Sequence, residues 1–328
     1  MRFITKIMLA LWATLSLIQT AGAAEGNVGI TQLETKGEFV VPLTIWYPAV
    51  EPTVDWQAGP YTIHATRNAT ITPGSHPLIL ISHGSGGGDM GHADLAEALA
   101  RRGYIVVAPR HLGDSYDQPE GFGSDMQMIG RPAQSVAALD TVLTDPHLKP
   151  AIDPTRIGMA GFSAGGYTTL VMSGARPNFA LHGAYCKAHP DDKNLCWDGA
   201  TTRMRITRPG WQVPSDHRVR AAVAMAPFSV MFDAGSVKNV HIPLLIYKAD
   251  DDQVLRNQWN TDHVLSLLPR DTEHGTLAGG HYVFLAPCGK EMLERTPEIC
   301  VDRAGVDRLA LHTKLNNEIV DFFDRKLK

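Results

Sequence analysis

Five apolar runs constrain this chain more than anything else in it. They are "PLILISHG" (77–84), "YIVVAPR" (104–110), "RIGMAGFS" (156–163), "VRAAVAMAP" (219–227) and "IPLLIYKA" (242–249). Nearly unbroken by polar residues, they read as strands buried on both faces. Helical patterns separate them. In "HADLAEALARRG" Leu95, Ala98, Leu99 and Ala100 recur at helical spacing, and Gly103 closes the segment. "RPAQSVAALDTVL" (131–143) is also helical, with Pro132 early in its first turn. "AGGYTTLVMSGA", "NQWNTDHVLSLL" (257–268) and the amphipathic "RLALHTKLNNEIVDFFDRKL" complete the set. Strand–helix alternation predicts an α/β fold: a mainly parallel central sheet with helices on both faces.

The flanks fit around that centre. "VGITQLE" and "FVVPLTIWYPA" read as two further strands, and the turn-rich residues 51–76 as a loop over a sheet edge. Residues 178–218 break the rhythm with Pro, Asp, Lys, Arg and two cysteines, among which Phe179, Tyr185, Trp197 and Trp211 are interleaved. They are expected to form a cap-like insertion over the carboxyl edge of the sheet, with Trp197 or Trp211 either lining a pocket or packing inward. No repeat divides the chain, and at 328 residues, 44% of them hydrophobic, it has material for one large core. Residues 24–328 are therefore expected to be a single domain.

The first residues do not belong to that pattern. Arg2 and Lys6 precede an apolar run from Ile7 to Ile18, and small residues follow around Ala21-Gly22-Ala23. This is the layout of a signal peptide, 1–23, with an A-x-A cleavage site. The run is short for a membrane anchor, and no cysteine near the site suggests a lipoprotein. The mature protein is expected to be secreted or periplasmic, without a transmembrane anchor. Cleavage takes the formal charge from −4 to −6, because only Arg2 and Lys6 are lost. Such a balance excludes nucleic acid and anionic membrane surfaces as obvious partners. Nothing in it speaks to oligomeric state.

Export makes disulfides plausible for the four cysteines, Cys186, Cys196, Cys288 and Cys300. Three pairings are possible. The local one, Cys186 with Cys196 and Cys288 with Cys300, closes two short loops and is preferred. The spacing does not suit a zinc site.

The chemistry centres on "GFSAGG" (161–166). The motif lies between a buried strand and a helix, where a nucleophile elbow belongs, with Gly161 and Gly165 two residues to either side of Ser163. A serine needs a base, an orienter for the base, and donors for the oxyanion. "SHGSGGG" (82–88) follows the strand before it and offers the backbone N–H of Ser85. Ala164 offers a second. His83 precedes the serine and is read as shaping that loop. Of the later histidines, His281 in "AGGHYVFLAPC" has two glycines ahead of it and precedes the C-terminal helix, so it is the candidate base. His263 and His312 fall within helices and are read as surface or packing residues. The acid should follow strand 243–249, in "YKADDDQVL". Counting three residues from the small Ala249 gives Asp252, preferred over Asp251, with Asp250 third. The three aspartates lack the spacing of a calcium loop. No metal or cofactor is required.

Together these segments resemble the α/β-hydrolase superfamily, and within it the bacterial dienelactone-hydrolase-like group related to platelet-activating-factor acetylhydrolases. The likeness spans roughly residues 30–328. "LILISHGSGG" is similar to the family's oxyanion loop and "HADLAEALARRGYIVVAPRH" to its next helix and strand. "GFSAGG" is similar to its elbow, and "GGHYVFLAPC" to its histidine segment. "DQVLR" resembles its acid segment. The resemblance implies a serine hydrolase of carboxylic esters with Ser163 as nucleophile, His281 as base and Ser85 as an oxyanion donor. Dienelactone hydrolases proper carry cysteine at the nucleophile, so a lactone substrate is not implied. The expected substrate is a small-molecule or polymeric ester. An amidase, peptidase or polymer depolymerase would use the same triad, and a non-catalytic binding protein is the distant alternative.

Overall fold

The computed structural model describes residues 26–196, 207 and 212–327. The expected signal peptide, Trp197 and Trp211 lie outside the described residues. Among the described residues nine strands form one sheet, in the order β11-β10-β9-β8-β6-β7-β2-β1-β5. The ranges are β1 Asn27–Glu34, β2 Pro42–Ala49, β5 Thr66–Arg67, β6 His76–Ser82, β7 Ile105–Pro109, β8 Ile152–Phe162, β9 Val219–Met225, β10 Leu244–Ala249 and β11 Glu273–Leu277. Strand β2 runs antiparallel to both neighbours, β1 and β7. From β7 through β11 every pairing is parallel.

Alternate residues of the central strands enter opposite cores. Leu78 and Leu80 face one side, with Ile105 and Val107, under helices α2 (Arg131–Thr144) and α3 (Ala164–Met172). Ile79 and Ile81 face the other, with Val106, under α1 (Ala93–Arg101) and the C-terminal helix, α6 (Arg308–Leu327). Each strand residue thus reaches an apolar layer, which is why these strands read as unbroken apolar runs. Full burial of such a side chain is worth about 1.5–3 kcal/mol. Helix α4 (Phe179–Ala188) opens the insertion, and α5 (Thr261–Leu267) follows β10. Among the described residues no helix is long and apolar enough to cross a membrane.

One expectation needs correction. Residues 51–76 contain more than loop: β3 (Asp55–Ala58) and β4 (Tyr61–His64) make a hairpin over Gly59-Pro60, and β5 extends the sheet beside β1. Strands this short, broken by Gly and Pro, carry too few residues to show a period. Pro132 stands in the first turn of α2, as expected, and a π-helical turn, Met126–Gly130, runs directly into that helix.

Both disulfides are local. Cys186 pairs with Cys196 and Cys288 with Cys300, and no described cysteine is free. Loops this short are expected to contribute about 3 kcal/mol each through the restricted unfolded chain. Reductant should therefore lower the urea midpoint measurably. Peptide mapping without reduction that recovered Cys186 joined to Cys288 would contradict this arrangement.

Topology places the functional end. The path from β6 through α1 goes to β7 on one side, and the path from β7 through α2 returns to β8 on the other. The strand order therefore reverses between β6 and β8. In open α/β sheets, ligands bind outside the carboxyl ends of the strands at such a point. Here those ends carry Ser82–Ser85 and Ser163.

Candidate active site

The turn from β8 into α3 is very tight. Ser163 has φ 57° and ψ −115°, a region costly for any residue with a side chain. A Cβ at Gly165 would overlap the Ser82 carbonyl oxygen, and one at Gly161 the Gly165 carbonyl. The flanking glycines are therefore required by the backbone. The elbow is tied down on both sides: the Ser163 N–H donates to the Met225 carbonyl at 2.9 Å, and its carbonyl accepts from Phe228 at 3.1 Å.

This geometry brings three of the residues named above together. Ser163 Oγ lies 2.9 Å from His281 Nε2, and His281 Nδ1 lies 2.7 Å from Asp252 Oδ2. The imidazole and the carboxylate are buried, with side chains 2% and 0% exposed. Asp252 Oδ1 accepts from the backbone N–H groups of Val254 at 3.0 Å and Leu255 at 2.7 Å, which turns the carboxylate toward His281. The His281 ring packs on Phe162, centroids 4.7 Å apart.

The neighbouring aspartates point elsewhere. Asp250 Oδ2 pairs with Arg303 at 2.6 Å and its Oδ1 accepts from Gly279 N–H at 2.9 Å. Asp251 is half-exposed and also faces Arg303, at 3.8 Å. The acid loop and the histidine loop are further joined by Asp250 N–H to Leu277 O at 2.8 Å and Asp251 N–H to Gly279 O at 3.1 Å.

The loop after β6 is built over buried charge. Arg131 and Asp114 form an ion pair at 2.6 Å with side chains 0% and 1% exposed. Asp114 also accepts from Gln127 Nε2 at 2.8 Å and from Ser85 Oγ at 3.2 Å. Arg131 donates to the His83 carbonyl. His83 Nε2 accepts from His111 N–H at 3.1 Å, so Nδ1 carries the proton and donates to Gly84 O at 2.6 Å. Burial, and then the Arg131 charge, hold His83 and His111 well below the ordinary histidine range, so both are neutral. Among the described residues, neither the Ser85 N–H nor the Ala164 N–H has an acceptor. Ala164 heads a helix, where free N–H groups are intrinsic.

Nothing in the sequence marks Arg131, Asp114 and Gln127 as a group. A charged residue in a single sequence reads as solvated, and only the fold brings Arg131 to Asp114. Arg131→Leu is expected to cost about 3–5 kcal/mol of stability, because it leaves the Asp114 carboxylate buried without its cation. Urea unfolding measures it, and a loss below about 1 kcal/mol would show that the pair contributes little.

The described part of the insertion touches loops at this end of the sheet. Asn194 donates to the Gln253 carbonyl at 2.8 Å, Asp191 pairs with Arg256 at 3.0 Å, and Thr207 N–H donates to Asp125 at 2.8 Å. Tyr185 and His189 pack against Trp259.

Strand order, antiparallel β2 and the placement of the elbow define an α/β-hydrolase fold. No family model and no curated protein matches the sequence. Among solved structures, the chain is similar to a ferulic acid esterase from Streptomyces cinnamoneus, with TM-score 0.62 over 94% of this chain and 92% of that one. The two are 19% identical, so the likeness is one of fold.

Proposed function

We propose that this chain is an exported serine hydrolase that cleaves carboxylic esters through an acyl-enzyme. The observation that carries the reading is the hydrogen-bonded series Ser163–His281–Asp252 at a strained strand–helix turn. His281 Nε2 takes the proton from Ser163 Oγ as the oxygen attacks the ester carbonyl. Asp252 holds the ring in the tautomer that leaves Nε2 free to accept, and it stabilises the imidazolium that forms. The N–H groups of Ser85 and Ala164 receive the oxyanion, each worth about 3 kcal/mol to the transition state. His281 then returns the proton to the leaving alcohol, and water, activated in the same way, releases the acid.

The segment resemblances support a reading of the enzyme as akin to the dienelactone-hydrolase-like and acetylhydrolase-like group, with one domain over residues 24–328. Export is supported by the leader pattern of residues 1–23 and by two disulfides, which persist in oxidising compartments. A fluorophosphonate probe should label Ser163. A panel of p-nitrophenyl esters from acetate to octanoate, with matching anilides and methyl ferulate, should show turnover of esters. Absence of both labelling and turnover would overturn the proposal, and turnover of anilides alone would make the enzyme an amidase.

A further inference from the structure

A second histidine–aspartate pair lies behind the turn that carries His281. His312, on the buried face of α6, places Nδ1 2.6 Å from Asp94 Oδ2 and Nε2 2.9 Å from the Val283 carbonyl oxygen. Both partners are acceptors. The same Asp94 oxygen already accepts from Asn316 Nδ2 at 2.7 Å, and Asp94 sits in the first turn of α1, where a carboxylate is favoured. Asp94 is thus the anion, and both ring nitrogens of His312 must carry protons to satisfy the two contacts.

We infer that His312 is a positioning residue for the proposed hydrolysis: as an imidazolium it bolts helices α1 and α6 to the turn His281–Phe284, and loss of its proton loosens that turn. The turn is also tied to the start of α1 by Ala286 N–H to Gly91 O at 3.2 Å and to the acid loop through Gly279 and His281. It is a single 3₁₀ turn after two glycines, closed by Val283 N–H to Gly280 O at 3.1 Å. Phe284 packs on Phe162, the same ring that supports His281. A neutral His312 has one N–H and must abandon either the buried Val283 carbonyl or the carboxylate. The role rests on the hydrolase reading above.

The groups around His312 are few. Burial acts to lower its proton affinity, but the Asp94 carboxylate and the hydrogen bonds to Asp94 and Val283 outweigh it, so His312 titrates above its ordinary value. Arg308, one turn earlier on α6, opposes this weakly and is itself paired with Asp302. Burial holds His92, just before α1, down at about 4, so it is neutral throughout. Glu97, one turn along α1, is pushed up by burial to about 7 and is the competing titrant. Because the folded value for His312 is raised, its contribution is complete at low pH and disappears as pH rises through that value.

The test compares activity with the proton on this ring. Long-range ¹H–¹⁵N spectra of histidine-labelled protein should show both His312 nitrogens protonated at pH 7. The alkaline fall in kcat for p-nitrophenyl butyrate should follow the same titration. In Asp94→Asn both should move together to lower pH, by about 1–3 units. His312→Gln should lower kcat about tenfold with KM little changed, a displacement of His281 short of the 1 Å that costs about a hundredfold. Glu97→Gln should leave the limb in place. No ester turnover by the wild type would overturn the function and the role with it. Turnover with a limb unmoved in Asp94→Asn, or a His312 ring with one protonated nitrogen at pH 7, would overturn the positioning role and leave the hydrolase intact.

Discussion

Ser163→Ala is expected to lower kcat on a p-nitrophenyl ester by about 10⁵-fold or more, with the fold intact. Members of a triad act as a unit, so removal of the nucleophile leaves only the contribution of the oxyanion donors and binding. Alanine removes one oxygen from a half-buried position. The backbone turn is held by the flanking glycines and by Met225 and Phe228, so circular dichroism and the urea midpoint should change little. A clean preparation that retained a tenth of the activity would remove Ser163 from the chemistry.

Asp252→Asn should cost about 10⁴-fold in kcat. An amide at this position is held by the same Val254 and Leu255 N–H groups through its carbonyl oxygen, and it then presents NH₂ to His281 Nδ1. That selects the tautomer protonated on Nε2, which cannot accept the serine proton. Asp251→Asn should stay within about threefold, because that carboxylate faces Arg303 across 3.8 Å at a half-exposed site, where such a pair is weak. Asp250→Asn should also stay within about threefold, because the amide oxygen still accepts from Gly279 N–H and only the part-exposed pair with Arg303 is weakened. If Asp251→Asn collapsed while Asp252→Asn stayed within tenfold of wild type, the acid would lie one residue earlier.

The parts of this protein that could be read from sequence are those in which one residue's environment is set by its neighbours in the chain. Strands β6 to β10 are buried on both faces, so each announces itself as an apolar run. Ser163 stands out because Gly161 and Gly165 are demanded by the turn itself. Asp252 could be counted from Ala249 because the chain leaves the sheet there by a short path. The hairpin β3–β4 could not be read, since two four-residue strands hold too little periodicity. Nor could the two buried pairs. Arg131 meets Asp114 only after α2 is packed against the sheet, and His312 meets Asp94 from 218 positions away. Its helical phase carried a partial signal. His312 shares a face with Leu315, Asn316, Ile319 and Phe323, all buried, which marks it as interior without naming its partner.

The two disulfides bear on how the molecule is made. Each joins cysteines that are consecutive in the chain, 10 and 12 residues apart. A polypeptide oxidised as it emerges from synthesis or a translocation pore therefore meets its cysteines in the order in which they pair. On the export proposed above, Cys186 meets Cys196 before Cys288 is outside the pore, and no wrong partner competes. Thiol–disulfide exchange is slow compared with chain emergence, so an arrangement that needs no reshuffling removes a delay. Neither bridge spans the sheet, and the first can close before strands β9 to β11 have emerged. Maturation should then be insensitive to loss of a disulfide isomerase while still requiring an oxidant.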